Sequence, residues 1–455
     1  MNIETELTKY IVNTNYDALP DEVVDSAKKC IVDTLGVAIA GSKYSVSDTI
    51  VNQIKDWGGK EESTILIYGG KVPCQNAALA NATMARTLDL GCVHETAVTH
   101  PAETVVPAAL AIAEREKGSG KDLITAVTVG IDLTCRWNLP RKKFRGFVGE
   151  SLFGASAAAA KLLKLSEEET LNALGIALCL AAGTYQMVLE NTSYMHVSHG
   201  MKASSGILSG LLAQQGVTGP KNLITGDYGF YSVYENREDC ELDELTRELG
   251  ERFEVTNVSI KPYPTCKYTH TAIYATLGIV RENHVRPEDI DEIAVRVNQA
   301  AYEVVGSPLD KKRVPTNPIE AQFSIPFLLG VAVSRGDVFI DDVTDTAIEN
   351  TDFLAIAKKV KTMVDADIEK ASSGQIGPAI VEITTRGGRK FQKRADFVIG
   401  HPQNPMSFDQ VVEKFRKCSL HAARPLDKGN TDKSIEMLGN LEKVHDVSSI
   451  LDLLT

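Results

Sequence analysis

From Pro20 onward, the apolar positions in the first half of the chain recur at helical spacing. In LPDEVVDSAKKCIVDTLGVAIAGS, Pro20, Asp21 and Glu22 open a helix and Gly41 closes it. Val23, Val24, Ala27, Ile31, Leu35, Val37 and Ile39 predict a helix whose far end is buried nearly all round. In LSEEETLNALGIALCLAAG, Ser166 and Glu169 stand at capping-box spacing and mark a further helix start. GASAAAAKLL and ASSGILSGLLAQQG are dense in Ala, Gly and Ser, small side chains that let helices approach closely in a large multi-helix core. The uncharged run Leu171–Leu189 is long enough to raise the question of a membrane span. Asn172, Thr184, Gln186 and two glycines interrupt it, and charges flank it, so it reads as a buried helix or helix pair.

Near residue 255 the texture changes. DEIAVRVNQAAYEVV alternates, with Ile293, Val295 and Val297 on one side, as in a half-buried strand. AIVEITTRGGRKFQKRADFV reads as two strands joined at Gly387-Gly388, with helical segments such as AQFSIPFLLGVAVSRG between the strands. From SFDQVVEKFRKC helices return, and the tail SIEMLGNLEKVHDVSSILDLL is amphipathic. The expected fold is mainly α with an α+β part. A helical main domain is built from both chain ends, 1–255 and 400–455, with an α+β domain, 256–399, inserted between them.

Composition narrows the function. The chain has 455 residues, 43% hydrophobic and 24% charged, which predicts packed globular domains. Its net charge is −12 and evenly mixed, which argues against nucleic-acid binding. A few buried Lys or Arg can still dominate a pocket that takes an anion. MNIETELTKYIVNTNYD lacks the basic start and apolar core of a secretory signal, so a cytoplasmic location is expected. The eight Cys, at 30, 74, 92, 135, 179, 240, 266 and 418, form no CxxC pair, which predicts neither a disulfide framework nor structural zinc.

Three segments carry candidate chemistry. In VHETAVTHPAETVVPAALA, His94 and His100 are six apart with Glu95 and Glu103 close by. The spacing and Pro101 rule out an i,i+4 zinc pair, and GCVHETAVTHP reads as a loop, where functional residues concentrate. In KPYPTCKYTHTAI, Lys261, Lys267 and His270 precede a helix. Cations there oppose the helix dipole, which makes sense if an anion binds between them and the helix amides; the other reading is a solvated basic turn. In YMHVSHGMKASSG, His196, His199 and Lys202 precede a Gly/Ser-rich helix, or form the polar rim of a packed one. The chain has no GxGxxG after a strand, GxxxxGK[ST], HExxH or GxSxG. The residues alone therefore predict proton transfer on a small carboxylate, with no metal and no organic cofactor.

Taken in order, these segments resemble the MmgE/PrpD family of 2-methylcitrate dehydratase and cis-aconitate decarboxylase. DTLGVAIAGS, GASAAAAKLLKLSEEETLNALGIA, GLLAQQGVTGP, GDYGF and KFRKC extend the resemblance over essentially the whole chain. It implies a helical main domain, an α+β lid domain and a homodimer. It also implies a cofactor-free site in the cleft between domains, complete only on closure, and dehydration, decarboxylation or epimerisation of small di- and tricarboxylic acids.

Position by position, the resemblance puts His100 on the catalytic histidine of the HP motif. Lys261 and His270 fall on the lysine and histidine of the lid-side segment, and His94 on the histidine after an acidic pair. That pair is replaced by Gly91 and Cys92, although Asp89 is nearby; Met195 and Ser198 stand for a lysine and a histidine, and Phe327 for a tyrosine. Each lost charge-assisted hydrogen bond is worth roughly 1.5–3 kcal/mol, so a substrate other than 2-methylcitrate or cis-aconitate is expected. In this reading His100 exchanges the proton, Lys261 with His270 holds the carboxylate, and His94 orients or relays. Lys267, His199 and Lys202 add anion binding. Cys92, with its pKa lowered by His94, is the second acid–base group of an alternative isomerase or epimerase; otherwise it is a buried thiol. A binding member without catalysis is the remaining alternative.

Overall fold

The structure is a computed structural model that describes residues 2–190, 192–372 and 376–455. The fold is mainly α with an α+β part, and the chain divides into two compact units. Unit one holds the residues up to Thr87, Gly91–Ile260 and Met406–Thr455. Unit two holds Leu88–Leu90 and Lys261–Pro405.

Unit one is helical: α1 (Ile3–Asn13), α2 (Asp21–Gly41), α3 (Ser45–Trp57), α4 (Cys74–Arg86), α5 (Ala102–Glu116), α6 (Gly120–Asn138), α7 (Ser151–Leu162), α8 (Glu167–Leu180), the short α9 (Gln186–Leu189), α10 (Tyr194–Gln214) and α11 (Phe230–Val233). Two short ribbons accompany them, β1 (Ser63–Thr64) with β2 (Lys71–Val72), and β3 (Val93–His94) with β4 (Val258–Ser259). The predicted cap forms: Ser166 and Glu169 satisfy the first turn of α8; a second capping box, Ser119 with Asp122, starts α6. The second half of α2, Cys30–Gly41, is buried all round. The helix Phe408–Ser419, from the last part of the chain, closes over it, with Phe415 against Gly36 and Lys414 Nζ 2.6 Å from Asp33 Oδ1. Trp137 stacks on Phe153 at 3.9 Å in the same core.

Two expectations change here. The run Leu171–Leu189 is not one buried segment: α8 ends at Leu180, Gly183 takes φ +134, and Cys179, Leu180 and Leu189 are exposed. No helix among the described residues is long and apolar enough to cross a membrane. His196, His199 and Lys202 also do not precede a helix; they lie inside α10. Gly200 does not break α10 but seats it: a Cβ there would stand 2.4 Å from the Leu79 carbonyl oxygen of α4.

Unit two contains a four-stranded sheet in the order β6 (Val360–Val364), β5 (Ile290–Val297), β7 (Ala379–Thr385), β8 (Lys390–Ala395). β5 runs parallel to β6 and antiparallel to β7, and β7 and β8 form the predicted hairpin, its turn made by Gly388 at φ +77. Ile293, Val295 and Val297 point inward as their alternation requires, and a bulge after Ile290 lets that residue face inward too. Helix α12 (His270–Asn283) packs on β7 and β8 and on the helix Ile325–Arg335, whose Phe327 is a core residue set edge-on to Phe353.

Candidate active site

The predicted site residues fall into two groups, one on each unit. In unit one, α4, the loop before α5, and α10 converge on a single carboxylate. Glu103, in the first turn of α5, is fully buried. Arg86 Nε, from the last turn of α4, lies 3.5 Å from its Oε2. His199 Nδ1 on α10 lies 3.8 Å from the same oxygen, and His100 Nδ1 lies 3.8 Å from Oε1. A carboxylate removed from water this completely persists as an anion only among such partners.

Hydrogen-bond partners separate the histidines. His100 Nδ1 lies 3.1 Å from the Cys92 carbonyl oxygen. A carbonyl only accepts, so Nδ1 carries the hydrogen and the neutral ring presents its lone pair at Nε2. His94 is arranged the other way. The Ala97 amide donates to His94 Nδ1 at 3.0 Å, so Nε2 carries the hydrogen and donates to Glu254 Oε2, also at 3.0 Å. Both nitrogens of His94 are thus committed, so of the two expected roles the relay falls away and His94 is a structural strut that orients the loop. Burial works to raise the Glu254 pKa, but hydrogen bonds from His94 and Asn257, with the nearby Arg252 charge, bring it to about 2.

The α10 residues complete the group. His199 shares a 3.0 Å hydrogen bond with Thr104 Oγ1, which also meets Ser151 Oγ at 3.0 Å. Burial, then the charges of Lys202 and Arg86, hold His199 well below the usual histidine range, so it is neutral at pH 7. Lys202 donates to the Val148 carbonyl at 3.1 Å. Burial brings its pKa down to about 8; Arg86 adds to the fall, while Glu150 and Glu103 oppose it. His196 Nδ1 meets the Arg86 carbonyl at 3.3 Å.

Of the two readings of Cys92, the structure fits the buried thiol. It is fully buried, and its thiol hydrogen-bonds with that of Cys30. That bond and its burial push its pKa well above the ordinary value. His94 does not activate it, and it is not a thiolate base.

In unit two, Lys261 is fully buried and donates to both the carbonyl and Oδ1 of Asp89, each at 2.9 Å. Its charge is thus already answered in part, which the expectation of an open carboxylate binder did not include. Asp89 takes φ +48, and Gln322 Nε2 pins its neighbour through the Leu88 carbonyl at 2.9 Å. His270 opens α12 and donates from Nε2 to the Thr265 carbonyl at 3.1 Å, which leaves its lone pair at the buried Nδ1. Burial first, then Lys267 and Lys261, hold its pKa well below the usual histidine value. Lys267 is buried in the turn just ahead of it. Among the described residues, no group of three or more His, Cys, Asp or Glu is arranged to hold a metal ion.

Arg86 and Glu254 were not singled out by sequence reasoning, and Glu103 was noted only as lying close to the two histidines, with no role given to it. Glu103 did leave a signal, as a lone charge entering the apolar run AETVVPAALAIA three residues after His100. Arg86 and Glu254 left none, because their partners are distant in the chain.

The family model for the MmgE/PrpD N-terminal domain matches residues 5–243, and that for the MmgE/PrpD C-terminal domain matches residues 263–438. Cis-aconitate decarboxylase of Homo sapiens is 27% identical over 455 residues, covering 96% of this chain and 91% of that protein. Cis-aconitate decarboxylase of Aspergillus terreus is 24% identical over 482 residues, covering 99% and 96%. 2-Methylcitrate dehydratase of Salmonella typhimurium is 22% identical over 458 residues, covering 91% of each.

Proposed function

The chain belongs to the MmgE/PrpD family, and from that premise we propose that it is a lyase-type enzyme, a dehydratase or decarboxylase. It acts by proton transfer on a small di- or tricarboxylic acid other than 2-methylcitrate or cis-aconitate. The observation that carries this reading is the tautomer of His100: Nδ1–H is tied to the Cys92 carbonyl, so Nε2 is the basic nitrogen. Likeness to decarboxylases and dehydratases supports the reaction class. In the proposal, His100 exchanges the proton next to a carboxylate. Lys202 in unit one, and Lys261, Lys267 and His270 in unit two, are the groups proposed to answer carboxylate charge. Asp89 shares Lys261 and burial keeps His270 neutral, so His270 acts there as a hydrogen-bonding group and less cationic charge is left for substrate than the sequence implies.

The test is solvent exchange in D2O over a panel of small di- and tricarboxylates, followed by NMR and mass spectrometry. One member is expected to exchange and to lose water or carbon dioxide, with His100→Ala slower by about 100-fold or more. Exchange at the wild-type rate in His100→Ala would remove His100 from the mechanism. Lys202 favours a second reading, an epimerase, because with a pKa of about 8 it is a second acid–base group on the same unit. Deuterium incorporation with inversion and no mass loss distinguishes that reading.

A further inference from the structure

The space in front of Gly91 is occupied. A Cβ at that position would stand 2.3 Å from Glu103 Oε1, 2.7 Å from its Cγ and 2.8 Å from its Cδ. A side chain on residue 91 and the Glu103 carboxylate are therefore alternatives for one volume. The charged and titratable groups facing that carboxylate come from several segments of unit one. They are Arg86 on α4, His100 ahead of α5, and His199 with Lys202 on α10. The Glu103 charge also reaches the Cys92 thiol in the loop before α5 and works to raise its pKa.

We propose that Glu103 is a positioning residue for His100: its buried carboxylate, on the Nδ1 side of the ring, reinforces the Nδ1–H tautomer that the Cys92 carbonyl sets and favours the imidazolium that forms when Nε2 takes a proton from substrate. The proposal rests on His100 being the base. At 3.8 Å the carboxylate is too far to take the hydrogen bond, which goes to Cys92. It acts by charge, and a charge excluded from water acts strongly. Arg86 Nε, 3.5 Å from Glu103 Oε2, supplies the opposite charge that a buried carboxylate requires. Glycine at 91 then has a specific reason: the space already holds a carboxylate, delivered from α5.

The experiment titrates His100 directly in the full-length protein carrying 13Cε1-labelled histidine, with the resonance assigned by its loss in His100→Ala. In Glu103→Gln the His100 midpoint is expected to fall by roughly one pH unit or more. In the double variant Gly91→Asp/Glu103→Ala, which returns a carboxylate to the same volume from the other side, it is expected to recover. A folded Glu103→Gln with an unmoved His100 midpoint overturns the proposal. If Glu103→Gln does not fold, the double variant alone decides: a wild-type midpoint supports the shared volume, and a midpoint lowered by a unit overturns it. The readout needs no substrate. A shifted midpoint together with no exchange on any carboxylate would sink the activity reading and leave the role of Glu103 standing.

Discussion

At the scale of single residues, burial decides which groups carry charge. Lys202 is held at about 8 against an ordinary 10.5. Between those values the unfolded chain keeps the proton and the folded chain does not, so stability rises with pH across that window. Below about 8 both states are charged, and the fold bears the whole cost of a desolvated ammonium. Lys202→Met is therefore expected to be more stable than wild type at pH 7, by as much as about 3 kcal/mol, with the gap narrowing between pH 8 and 10.5. Urea unfolding at pH 7 and pH 10 checks this, and a variant less stable at pH 7 would contradict it.

His270 works with the same sign at lower pH. Its folded pKa is depressed below 6.5, so as pH falls through that value the unfolded chain gains a proton that the folded chain refuses, and stability drops. His270→Asn should flatten the acid limb of stability against pH by about one proton. None of this was legible as spacing. His94 and His100 look equivalent in VHETAVTHP. An amide at one ring and a carbonyl at the other separate strut from base, and sequence pattern does not encode that difference.

At the scale of elements, the loop that carries His100 is held by a chain of buried polar contacts. Within α6, Asp132 Oδ2 accepts from Arg136 Nε at 2.7 Å, and Oδ1 accepts from the Glu254 amide, also at 2.7 Å. Arg136 further donates to the carbonyls of Arg247 and Arg252. Glu254 then takes the His94 hydrogen, and His94 takes the Ala97 amide. Breaking the far end should be felt at the near end. Asp132→Ala strands a fully buried guanidinium and is expected to cost about 3–5 kcal/mol. A His94→Ala, Glu254→Gln double-mutant cycle should return a coupling of roughly 1–3 kcal/mol by urea unfolding; additive losses would mean the strut is not one. The capping box of α8 and the β7–β8 hairpin were readable because their signals are local. The start of α10 was not, because the polar run YMHVSH has no apolar period to mark a helix, and Gly200 behind it is a contact point in the fold.

At the scale of the whole molecule, the helix, α+β, helix order was legible because a period near 3.6 gives way to a period of two and then returns. The path of Leu88–Leu90 was not. These three residues have no pattern of their own, and their partners Lys261 and Gln322 lie 172 and 234 residues further along. Yet they belong to unit two, flanked on both sides by chain that belongs to unit one. Unit two is therefore not one continuous stretch: Asp89 answers the charge of its buried Lys261, and the Leu88 carbonyl satisfies Gln322. Removing the carboxylate leaves an ammonium buried with only a carbonyl beside it, which is expected to cost about 3–5 kcal/mol, a large share of the 5–15 kcal/mol of an ordinary domain. Asp89→Ala should then lower hydrogen-exchange protection at Ile293 and Val381 in the sheet of unit two, although residue 89 is in neither strand. Replacing both partners, as Asp89→Leu/Lys261→Met, should restore most of that protection, because two apolar groups leave no charge to strand. If Asp89→Ala leaves the sheet amides as protected as in wild type, the pair does not stabilise unit two and the three residues only pass through it.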